Sequence, residues 1–468
     1  MSKRKPLSLL ALAVALALLL PAFVWAAYPA EVPRTGQTTC YDTGGNVIGC
    51  AGTGQDGDIQ AGVAWPNPRF TDLGDGTVLD NLTGLEWKKN ANLAGEAKTW
   101  QQALDYVKRL NTASHGDWRL PNVNELESLV DAGFYHPALP QSHPFTNVQP
   151  EYYWSSTSDA SKGFAWFVDM SGGTVYSSNK NNLIGYVWPV RSGQCGSLSN
   201  SVICLPKTGQ TTCYDTGGNV IGCAGTGQDG DIQAGVAWPS PRFEVNGDTV
   251  TDSLTGLEWK KNANLAGAKT WQQALDYVKT LNTGGHSDWR LPNRKELRSL
   301  ADYARYNPAL PSSHPFTNVQ LSDTGYWSST TITGGKTLAW PVGMGFGTVG
   351  LWAKTNFDCY VWPVRFTASG GGTPATTTLP SITTTTAEPT TTTSVWCPSQ
   401  KALGEDNPGL ENLRAFRDNT LAQSAVGRRI IEIYYNNADS INAAFDRSPA
   451  LRTVAKSVLE IIAPMVGR

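Results

Sequence analysis

The sequence predicts an α+β fold built twice in tandem, and three observations carry that prediction. The segment TGQTTCYDTGGNVIGCAGTGQDGDIQAGVAW occurs unchanged at 35–65 and 208–238, and TWQQALDYVK, DWRLPN, HPFTNVQ, YWSST and YVWPVR follow in the same order each time. Within each repeat, residues with helical apolar spacing precede short runs rich in aromatic and β-branched side chains. Trp 17, Gly 47 and Pro 28 add large rigid side chains and many turns, which suits compact domains with little continuous helix.

Taken in chain order, Lys3, Arg4 and Lys5 precede an apolar run from Leu7 to Val24, and Val24-Trp25-Ala26 offers a cleavage context. Residues 1–26 read as a secretory signal peptide, with an uncleaved anchor as the alternative. Export removes the chain from the reducing cytoplasm, so its Cys 8 are read first as disulfide candidates. Once the signal is removed, no later segment is long and apolar enough to span a membrane. The two repeats lie near 33–193 and 206–366.

In the first repeat, Cys40 and Cys50 flank YDTGGNVIG, whose Gly44-Gly45 can turn a hairpin and bring the two thiols together. Cys213 and Cys223 repeat the arrangement, while Cys195 and Cys204 would close the connector between repeats. The run TDLGDGTVLD, with Asp72, Asp75 and Asp80, reads as a hairpin turn. Calcium is the alternative there, but the second copy has Gly247 opposite Asp75 and so loses the ligand spacing. Trp100, Ala103, Leu104, Val107 and Leu110 then form one helical stripe behind a Thr99/Gln102 capping box. A second helix opens at Asn122 with Glu125 reaching back, and Leu126, Leu129 and Val130 make its buried face. Thr270, Gln273, Asn293 and Glu296 repeat both devices, and YYWSST, FAWFVDM, GTVYSS and YVWPVR supply the strand meander.

Beyond the repeats, residues 369–394 are rich in Thr and Pro and read as an extended linker, and 397–468 carry helical apolar spacing that predicts a small all-α region. Lys+Arg 37 against Asp+Glu 39 gives a formal net charge of −2, which argues against a nucleic-acid binder that works through bulk positive charge. No His sits in a recognisable nucleophile–base spacing, so no catalytic residue and no metal set are assigned.

The signature GDWRLPNVNEL, repeated as SDWRLPNRKEL and joined in both copies to YWSST and YVWPVR, resembles the C-terminal domain of the Legionella collagen-like adhesin, and DWRLPN is similar to the RLP motif of formylglycine-generating-enzyme domains. The resemblance implies two C-type-lectin-like domains, exposure at a bacterial surface and recognition of extracellular glycan, or of a surface protein, without catalysis. The calcium–sugar motifs EPN, QPD and WND of the lectin family are missing, so no cofactor is assigned. The tail resembles the helical region that follows a Cys-Phe-Ile box in some exported proteins, with Trp396-Cys397-Pro398 standing at that box.

Two sets of residues become ligand candidates. Val123, Asn124, Glu127 and Phe134 of the first copy are replaced in the second by Arg294, Lys295, Arg298 and Arg305. Arg294 and Arg298 share a helix face, so an anionic ligand is expected there. Trp154 and Trp327, in the YWSST strands, are candidates for stacking on sugar rings.

Overall fold

The computed structural model describes residues 30–110, 116–191, 203–283, 286–321, 325–355 and 359–366, with scattered positions after 400. The signal peptide, the Thr-rich linker and nearly all of the tail lie outside the described residues, as do Cys195 and Cys397. Of the tail, Leu403, Leu410, Glu411, Arg452, Thr453, Lys456 and Leu459 are helical. Residues 27–375 form one compact unit that contains both repeats.

Each repeat has a leading segment and a body. The first leading segment carries the hairpin β1 (Cys40–Tyr41) and β2 (Val47–Ile48) and one helical turn, α1 (Asp56–Ile59). The first body runs through β3 (Phe70–Asp72), β4 (Thr77–Asp80), β5 (Glu86–Lys88), α2 (Trp100–Arg109) and α3 (Val123–Ser128). It ends with β6 (Tyr152–Ser158), β7 (Phe164–Asp169), β8 (Val175–Asn179) and β9 (Val190–Arg191).

The second leading segment has β10 (Cys213–Tyr214), β11 (Val220–Ile221) and α4 (Asp229–Ile232). Its body has β12 (Phe243–Asn246), β13 (Thr249–Asp252), β14 (Leu257–Lys260), α5 (Trp271–Thr280) and α6 (Arg294–Ser299). β15 (Tyr326–Thr331), β16 (Leu338–Gly343), β17 (Thr348–Val349), β18 (Trp352–Ala353) and β19 (Val364–Phe366) complete it.

The local signals act as the sequence predicts. Both capping boxes form in both copies, and Trp100, Ala103, Leu104 and Val107 are buried along one face of α2. The Cys40–Cys50 and Cys213–Cys223 disulfides close the two hairpins, and Cys204 is also disulfide-bonded. The acidic run is the turn between antiparallel β3 and β4. There Asp75 accepts from the Thr77 backbone and hydroxyl, Asp72 pairs with Lys89, and Asp80 is buried against Arg69.

The repeats are not two separate heads. Val175 of β8 pairs with Val349 of β17, joining the two meanders into one seven-stranded sheet. A single core cluster holds Leu126, Trp166 and Trp188 of one copy with Leu297, Trp340 and Trp362 of the other.

The leading segments also cross over, each making most of its side-chain hydrogen bonds to the rest of the chain with the opposite body. Lys354 lies over the Trp271 ring at 4.2 Å and donates to the carbonyls of Tyr41 and Asp42 at 3.4 and 3.1 Å. Lys180 does the same from Trp100, donating to Tyr214 and Asp215 at 3.4 and 3.3 Å.

Candidate functional site

The DWRLPN signature builds the seat that receives the opposite leading segment. Arg119 donates from both terminal nitrogens to the two carboxylate oxygens of Glu125, each at 2.6 Å, in a buried bidentate pair. Glu125 also accepts from the Asn122 backbone, and Asn122 accepts from the Glu125 backbone, which leaves the Asn122 amide aimed outward. That amide donates to the Ala234 carbonyl of the second leading segment at 3.1 Å. Arg290, Glu296 and Asn293 repeat the device and grip Ala61 at 3.1 Å. Sequence reading gives the Asn122/Glu125 cap but not the partner of the Asn122 amide, because Asn122 and Ala234 are 112 residues apart.

The YWSST strand supplies the rest of the seat. Thr157 donates to Asp229 at 2.7 Å, and Thr330 donates to Asp56 at the same distance. Thr208 and Thr35 each supply a second hydroxyl to these carboxylates. Burial nevertheless pushes both Asp56 and Asp229 up to about 6.

A carboxyl raised in the fold contributes stability that is fully present below its unfolded value near 4 and is lost as pH rises through about 6. The shift corresponds to roughly 3 kcal/mol per site. The Asp56→Asn, Asp229→Asn double variant should therefore lose part of the wild-type decline in stability between pH 4.5 and about 7. Urea unfolding across that range checks this, and parallel curves for the two proteins would refute it.

The structure corrects the expected anionic-ligand face. Arg294, Lys295 and Arg298 are 0%, 6% and 4% exposed, so they form no solvent-facing patch. They pack against the first body, where Glu127 pairs with Arg294 at 3.1 Å and with Arg298 at 2.7 Å. Arg294 also donates to the Gly173 carbonyl and lies 4.3 Å over the Trp340 ring. Burial alone would raise Glu127, but the guanidiniums of Arg298 and Arg294 outweigh it and hold its carboxyl below the usual range. Lys295 donates to the carbonyls of Val130 and Arg34 at 3.1 and 3.3 Å, and burial pushes it down to about 7.

The copy difference is therefore an interface device. Glu127 of one copy meets Arg298, its own counterpart in the other, so unlike copies attract where like copies would repel.

The stacking candidates are corrected as well. Trp154 and Trp327 are fully buried, with their indole N–H groups donating to the carbonyls of Lys98 and Lys269 at 2.9 and 2.8 Å. Arg305 alone of the expected set is exposed.

A pocket among the described residues was not visible in the sequence. It has a volume of about 570 Å³, within the range of small-ligand sites, and lies where the first leading segment meets the loop after α3. Trp65 and Phe134 give it aromatic surface, Gln37, Gln60 and Gln141 give it amides, and Arg34, Asp56 and Asp131 give it charge.

Gly36 makes this geometry possible. Its φ is +92°, and a Cβ there would lie 2.1 Å from the Asp131 carboxylate and 2.6 Å from the Trp65 ring. Asp131 accepts from the Gly133 backbone at 2.8 Å, and burial raises its carboxyl. Asp56 is 1% exposed, and its Oδ1 has no hydrogen-bond partner among the described residues.

Among the described residues, no three or more His, Cys, Asp or Glu side chains are grouped so as to hold a metal ion, and no helix is long and apolar enough to cross a membrane. No curated protein and no solved structure matches the chain. The sequence profile of the Lcl C-terminal domain, a non-catalytic adhesin domain, matches residues 76–191 and 248–365. These spans cover each body from its second strand onward and leave out the leading segments at 35–65 and 208–238, so the expected units near 33–193 and 206–366 each combine a family domain with an added segment. With half of its length accounted for by two tandem copies of that domain, the chain belongs to the Lcl C-terminal domain family.

Proposed function

We propose that this is an exported, non-catalytic binding protein of a bacterial surface that recognises extracellular glycan. Its bodies would be of the C-type-lectin-like class, carried on a Thr-rich linker with a helical tail. The pocket at Trp65, Phe134 and Asp56 is the observation that carries the reading: it combines an aromatic surface suited to a sugar face with buried polar groups suited to hydroxyls. The N-terminal signal-like run and the hairpin disulfides support export.

The test is capture of the exported chain on an array of neutral, amine-bearing and sulfated glycans, with calcium and with chelator. Phe134 is 39% exposed, so Phe134→Ala can reduce stacking without disturbing the core. It should weaken the captured glycan by about tenfold. Capture that is indifferent to this substitution would remove the pocket from the reading, and capture of no glycan would remove the reading itself.

A second reading, a protein-interaction component of a surface assembly, is favoured by the stacked pair Tyr306 and Phe346. Their rings are 6.0 Å apart and inclined by only 5°, with 54% and 39% of these residues exposed beside the exposed Arg305. Rings held open in this way suit a partner surface.

A further inference from the structure

The pocket of the first repeat also carries information about the chemistry of its occupant. We infer that it takes an amine-bearing saccharide, with the ammonium group seated against Asp56 and Asp131; this deepens the glycan reading and rests on it.

Two carboxylates line this pocket against one guanidinium. That guanidinium, on Arg34, is already directed at the Gln60 side chain at 3.3 Å and the Gly62 carbonyl at 3.4 Å. The other cation nearby, Lys295, points its ammonium at the Arg34 and Val130 carbonyls. Arg69, stacked 4.3 Å over Trp65, is paired with Asp80 at 3.2 Å. Each of these cations therefore already has an acceptor, with Arg69 Nη1 alone left over, whereas Asp56 Oδ1 is a buried acceptor with no donor among the described residues. Such an oxygen is costly to leave unmatched, and a charged N–H donor is the group that best satisfies it. A sulfate ester would instead bring a third negative charge to two carboxylates that burial already disfavours as anions.

Trp65 and Phe134 complete the argument, because they offer apolar surface to a sugar ring while the carboxylates take its amine. The second repeat keeps Gly209, Asp302 and Trp238 in the same relation, a Cβ on Gly209 lying 2.3 Å from Asp302 and 2.8 Å from Trp238. Its sequence there has Arg305 where the first has Phe134, and Ser312 where the first has Gln141. The amine preference therefore belongs to the first repeat.

The experiment is calorimetric titration of the full exported chain with three probes of matched length: a β-1,4-glucosamine oligomer, its fully N-acetylated form and a heparin-type sulfated oligomer. The glucosamine oligomer should bind at least tenfold tighter than the other two. Asp131→Asn, which keeps an oxygen for the Gly133 backbone, should abolish that margin while circular dichroism shows an unchanged fold. Equal or tighter binding of the acetylated or sulfated oligomer, with Phe134→Ala still weakening it, would overturn the amine assignment and leave the glycan pocket standing. A margin that survives Asp131→Asn would also overturn the assignment. Binding of none of the three, together with no capture on the array, would instead overturn the glycan reading.

Discussion

Glu127→Arg is expected to destabilise the folded protein by about 3–5 kcal/mol or more, because it removes the carboxylate between two buried guanidiniums and adds a third cation. Chemical denaturation of the full chain measures this directly. The informative comparison is the exchange variant, Glu127→Arg with Arg298→Glu, which restores one opposite pair with its polarity inverted. If the interface works by complementarity, the exchange variant should recover at least half of the loss, a coupling that a double-mutant cycle resolves. Additive losses would mean that the shape of the cluster, and not its charge pattern, is what the interface needs.

Arg119→Ala should cost a comparable amount, about 3–5 kcal/mol, since it strands Glu125 in a buried site. Its effect should also travel. Glu125 orients Asn122, and Asn122 holds Ala234 of the other leading segment, so amides near 229–236 should exchange faster with solvent than in the wild type. Arg290→Ala should act in mirror image on amides near 56–63 through Asn293 and Ala61. Loosening confined to the mutated body itself would show that the signature is only a local brace.

Much of this architecture is written in local chemistry. Thr99 with Gln102 and Asn122 with Glu125 form their caps because each needs only residues three apart, and Cys40 meets Cys50 because a short hairpin brings them together. What is not local is not legible. The leading segments at 35–65 and 208–238 are identical, so nothing in their residues says which body each one meets. Arg294 and Glu127 are 167 positions apart, and a six-residue helix with three cations reads as a solvated face until that carboxylate is in view. The copy difference was visible, but its meaning was inverted: the substitutions mark where the copies touch each other. Trp154 and Trp327 failed as surface candidates for a related reason. In a strand where every position from Tyr326 to Thr331 is buried, alternation gives no sign of which face meets solvent. The pocket was hidden because Trp65, Gly36 and Asp131 converge only when the leading segment and the loop after α3 pack together.

The crossing of the leading segments bears on how this gene can change. Tandem repeats gain and lose copies easily by unequal recombination, yet here each copy holds the other's leading segment and offers its own seat in return. Loss of one copy would leave one body with an empty seat, and a third would arrive without a counterpart. The arrangement therefore favours inheritance of the repeats as an even number, with the pair, and not the single domain, as the heritable module.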